Sequence, residues 1–178
     1  MSSNSFPTIL LITGAFTTTQ CYDRMVPLLE QAGYPTAVAA PASCASTDIY
    51  GHTAASDGNG LLEEHLLPLI NEGKDVVVFA HSFGATCLSG ADRQLSKAER
   101  ASQGLKGGVV GLAYISFALA KDGASQIEYL GGTWPPFCKL HHVRSFSRKC
   151  QLEVADGFAA VEGSLPLRTS DRSPFQRR

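Results

Sequence analysis

Asp75-Val-Val-Val-Phe-Ala-His-Ser-Phe-Gly-Ala85 is the stretch of this 178-residue chain on which the fold reading turns. Val76 to Phe79 form an apolar, mostly β-branched run, the mark of a strand buried on both faces. Directly after it, Ser82 to Arg93 reads as a helix, with a serine at the junction. A strand that turns sharply into a helix through a serine is a nucleophile elbow, G-x-S-x-G, here written Ala80-His81-Ser82-Phe83-Gly84. The turn is so tight that the residues two before and two after the serine must be small. Gly84 meets that need, and Ala80 exceeds the usual glycine by one methyl group. The hydroxyl of Ser82 then stands clear of the sheet edge at a helix start, where developing negative charge is favoured. The Phe83 amide would point at the oxyanion. A serine at a helix start is elsewhere only an N-cap; the strand before it favours the elbow.

Upstream, the same alternation repeats. Thr8 to Thr13 is a buried strand ending at Gly14. Residues 20–32 place Tyr22, Met25, Leu28, Leu29 and Ala32 on one helical stripe, interrupted by Pro27 and closed by Gly33. Pro35 to Ala40 is a second strand. Residues 41–60, rich in Ala, Ser, Thr, Asp and Gly, read as a loop. Leu61 to Ile70 reads as a helix with Leu62, Leu66, Leu69 and Ile70 inward. Downstream, the elbow helix runs towards Ala101, and Gly108 to Phe117 is a fourth strand. Buried strands alternating with amphipathic helices predict an α/β fold, a parallel sheet with flanking helices and right-handed crossovers. In that frame Thr13-Gly14-Ala15-Phe16 lies at the same sheet edge as Ser82. Its glycine allows close approach, and Ala15 or Phe16 can present a second oxyanion amide.

Composition narrows the function class. Hydrophobic residues are 44%, charged residues 17% and the net charge -1, which favours neither nucleic acid nor an anionic membrane as partner. The five cysteines form no CxxC pair, and no basic n-region precedes the short apolar run at Ile9. Reduced thiols and a cytoplasmic location are therefore expected. No spacing suggests a metal site, and no phosphate-binding glycine fingerprint suggests a cofactor.

With these residues in place, the chain over about 7–120 resembles the α/β-hydrolase superfamily. It is most similar to the small esterase and hydroxynitrile-lyase-like branch, including fungal members found near secondary-metabolite genes. The resemblance rests on LLITGAF, CYDRMVPLLEQAGYPTAVAA and EGKDVVVFAHSFGA. It implies Ser82 as nucleophile, the amides of Ala15 and Phe83 as oxyanion hole, and a small-molecule acyl substrate (ester, thioester or lactone). Thr13, Ala80 and Ala85 depart from the family pattern without removing a reacting group.

The larger departure lies downstream. The family order is Ser, acid, His, and each further βα unit needs roughly 30 residues. Only 61 residues follow Phe117. Three segments are expected: an incomplete hydrolase core over 1–120, the start of a cap over 121–142, and an irregular, disordered basic tail over 143–178. Residues 1–142 carry 8 basic and 12 acidic side chains, whereas 143–178 carry 7 and 4. Asp122 or Glu128, with His141 or His142, could complete a triad in the right order. The favoured expectation is that His141 and His142 are paired loop histidines with no catalytic task. His81 reads as a packed histidine, His52 as a loop residue, His65 as a helix-surface residue, and Asp48 and Asp57 as helix caps. A catalytically impaired remnant and a lyase or cyclase on the same scaffold are the alternatives to a serine hydrolase. With no later strands, the fourth strand is expected to form an exposed edge that promotes self-association.

Overall fold

A computed structural model describes residues 6–46, 52–89, 94–115, 128, 131–133, 138–142 and 150–154. The chain divides into two compact units, Met1–Thr133 and Trp134–Arg178. The first unit is α/β. Its strands β1 (Thr8–Ile12), β2 (Thr36–Ala39), β3 (Asp75–His81) and β4 (Gly108–Ile115) form a parallel sheet of order β2-β1-β3-β4. β1, buried along its whole length, lies between β2 and β3, as its unbroken apolar sequence requires. Ile12 stands level with Ala39 on one side and Ala80 on the other. The turns leaving β1 and β3 therefore emerge side by side. From there the chain moves to β2 on one flank and to β4 on the other. This is a topological switch point, the place where open α/β sheets leave a crevice at their carboxyl edge.

The main core lies against one face of the sheet. Leu10, Ile12, Val76, Val78 and Ala80 pack there with Leu61, Leu66, Ile70, Ala85 and Leu88 from the helices. The segment expected as loop over 41–60 is partly helical: α2 is Ala42–Ala45 and α3 is Ala54–Gly60. The missed signal is a capping box, in which Thr53 and Ser56 bond each other's backbone N–H groups at 3.0 and 2.8 Å. From Gly60 the helix continues through a π-helical segment, Leu61–Leu66, into α4 (Leu67–Asn71). The Leu67 N–H donates to the Leu62 carbonyl, five residues back. That wider turn puts Leu61, Leu66 and Ile70 fully inside and leaves Leu62 and Leu69 half-buried, which shifts the expected stripe.

Other elements are shorter than expected. Before α1, Thr19–Tyr22 forms a 3-10 turn. α1 (Val26–Gln31) starts late at Pro27 and buries no residue fully; Leu28 is 66% exposed. The helix after Ser82 is α5 (Phe83–Ser89), and a separate α6 (Lys97–Ser102) is capped by Ser96, whose hydroxyl accepts from the Glu99 N–H. Arg100 of α6 is buried and donates to the carbonyls of Gly107, Ile70 and Lys106 and to Asn71. It thus ties the end of α4 to the entrance of β4. In the ladder with β3, Val110 is an extra residue between the Val109 and Gly111 pairings, so β4 carries a bulge.

In the second unit, β5 (Cys138–His142) pairs antiparallel with β6 (Cys150–Val154), Cys138 opposite Val154. β6 is a strand inside the tail expected to be irregular; the other residues of 143–178 lie outside the described residues. No helix among the described residues is long and apolar enough to cross a membrane.

Candidate active site

Ser82 follows the last residue of β3 and precedes the first of α5, with φ of 49°. A serine in the left-handed region is strained, and such strain persists only where the surroundings impose it. Here the Ser82 N–H donates to the Ile115 carbonyl at 2.9 Å, while its carbonyl accepts from Ala85 at 3.0 Å and Thr86 at 3.4 Å. The backbone is thus fastened to β4 on one side and to α5 on the other. Gly84 is needed because β1 passes close by. A Cβ there would lie 2.3 Å from the Thr13 carbonyl oxygen and 2.7 Å from Ile12 Cγ2. Ala80 is fully buried in the core, where its single methyl is accommodated.

The turn after β1 meets the elbow directly. A Cβ on Gly14 would lie 3.0 Å from Ser82 Cβ and 2.8 Å from His81 Nδ1. Phe16, two residues on, has φ of 60° and is the only described non-glycine residue besides Ser82 with positive φ. Both strained residues therefore sit on the turns that flank the switch point. The Thr17 hydroxyl donates to the Gly14 carbonyl at 2.8 Å, and the Cys44 thiol does so at 3.6 Å. Burial raises the Cys44 thiol above its ordinary value, so it stays protonated and able to donate. Ala15 directly follows the bonded Gly14 carbonyl, and Phe83 opens α5.

The remaining candidates separate. His81 is half-buried beside Gly14, and His65 is half-buried on the π-helical segment. Asp57 does not cap α3, because Thr53 does; it is buried and accepts from the Ser43 N–H and hydroxyl. His52 Nδ1 stands 3.6 Å from it. No periodic pattern in the sequence marks this pairing of Ser43 with Asp57, which spans the 41–60 segment. Asp48 and Asp122 lie outside the described residues, Glu128 is exposed, and His141 and His142 belong to β5 of the second unit. Among the described residues no three His, Cys, Asp or Glu side chains are grouped as a metal site.

The chain is similar to "Probable hydrolase R7" of a Phoma species. The two are 28% identical over 127 residues, which make up 71% of this chain. The chain spans about half, 48%, of the length of that curated relative. No family model matches the chain, and no solved structure does.

Proposed function

We propose that this chain carries the nucleophile half of an α/β-hydrolase-type serine hydrolase acting on an ester, thioester or lactone. The observation that carries the reading is the left-handed Ser82 at the β3–α5 junction, in contact with the Gly14 turn. In the reaction, the Ser82 oxygen attacks the acyl carbon and the alkoxide or thiolate leaves, which forms an acyl-enzyme that water then hydrolyses. The amides of Ala15 and Phe83 receive the negative charge of the tetrahedral oxygen. The likeness to a relative named a probable hydrolase adds to this reading, and the family resemblance extends it to a substrate from fungal secondary metabolism.

A fluorophosphonate probe tests the proposal. The Ser82 oxygen should displace fluoride and retain the phosphonyl group, seen as a mass gain on the peptide bearing Ser82. Ser82→Ala should abolish it. Folded wild-type chain that gains no mass would defeat the reading and favour the impaired remnant. Labelling without any hydrolysis of simple p-nitrophenyl esters would favour a lyase or cyclase.

A further inference from the structure

We infer that Asp57, acting through Ser43 and Cys44, is a positioning residue for the oxyanion turn beside Ser82. The inference rests on the hydrolase reading above, because it concerns the same turn.

Asp57 is 1% exposed. One carboxyl oxygen accepts the Ser43 N–H at 3.0 Å and the other accepts the Ser43 hydroxyl at 2.5 Å. Its own helix does not occupy it, since Thr53 supplies the α3 cap. The next residue, Gly58, is pressed onto α5: a Cβ there would lie 2.3 Å from the Cys87 carbonyl oxygen. The carboxyl therefore projects from a helix locked against the element that starts at Ser82. Ser43 is joined to Cys44 within the single turn of α2, so anchoring one sets the place of the other. The Cys44 thiol donates to the Gly14 carbonyl at 3.6 Å. The Gly14 carbonyl and the Ala15 N–H belong to one planar trans peptide, so a bond that fixes the carbonyl also fixes the direction of that N–H. Phe16, with φ of 60°, requires such restraint. A shift of about 1 Å in a group that stabilises a transition state can slow a reaction about a hundredfold.

The test compares second-order rates of fluorophosphonate labelling, each well below the variant's melting temperature. Asp57→Asn and Cys44→Ala should slow labelling by about tenfold or more, within the range that misplacement allows. Cys44→Ser, which restores a donor to Gly14, should recover most of the rate. Amide exchange at Ala15 and Phe16 should quicken in the slow variants while Ala85 stays protected. Variants that melt earlier yet label at the wild-type rate would reduce Asp57 to a purely structural role and overturn the inference. Should Asp57→Asn fail to fold, the Cys44 variants decide: Cys44→Ala at the wild-type rate, or no recovery in Cys44→Ser, overturns it. A wild-type chain that does not label removes the hydrolase reading and this inference with it, whereas a labelling wild type with unaffected variants removes the inference alone.

Discussion

Ser82 holds a backbone conformation that costs about 1–3 kcal/mol for a side chain bearing a Cβ. Glycine would relieve that strain, offset partly by about 0.5–1 kcal/mol of extra chain freedom in the unfolded state. Ser82→Gly should therefore be about 1 kcal/mol more stable than Ser82→Ala in denaturant melts, with labelling lost in both. This residue was legible in the sequence because the elbow's demand for small neighbours is local. Asp57 was not, because its partner Ser43 is reached only when two helices pack. Cys87 makes a separate prediction. Burial first, then the nearby Asp57, pushes its thiol from 9.0 up to about 12. A raised folded value means that the native state keeps a proton the unfolded chain releases. The stability tied to Cys87 is intact below about pH 9 and declines as the pH rises towards 12, by up to about 1.4 kcal/mol per pH unit. Urea midpoints measured from pH 8 to 11 should fall, and Cys87→Ala should flatten the decline.

Among the elements, the four strands of the parallel sheet were read to within two residues, since an unbroken apolar run marks them without tertiary help, whereas β5 and β6, which lack such a run, were not read. The long helix of the β2–β3 crossover was read less well. Its first part lacks an apolar stripe, and its centre sets the buried Leu61 and Leu66 five positions apart rather than four. Pro68, without an N–H, lies just beyond this segment inside the continuous helix, where it can donate no bond to the preceding turn. The register has a measurable outcome. Leu61→Ala should destabilise by about 2–5 kcal/mol, as for other fully buried leucines, and Leu62→Ala by clearly less. Chemical denaturation of the two variants side by side checks this; the reverse order would restore the regular α-helical phase. Arg100 shows why a charge pattern alone misleads: in sequence it looks like a surface residue, yet it closes three carbonyls of the turns around β4.

For the whole molecule, β4 is the outer strand of the described sheet and leaves Leu112 57% exposed. A bare apolar edge invites pairing between copies. Light scattering of the wild-type chain should show association that rises with concentration, and Leu112→Lys should reduce it; a monodisperse wild type would refute this. The sheet's architecture was legible because alternating strands and helices admit few arrangements. For the candidate acids and bases, Asp122, Glu128, His141 and His142, chain order alone sets no position beside Ser82. One consequence concerns how the protein comes into being. Gly14 and Ser82 touch, yet nearly the whole crossover through β2 and the long helix separates them in the chain. On the proposed hydrolase reading, a nascent polypeptide leaving the ribosome would gain its reactive hydroxyl only once β3 has docked beside β1, and parallel pairing over such a loop is slow. A phosphonylated Ser82 would then count mature molecules in a cell extract, while collapsed or half-made chains of the same mass stay dark.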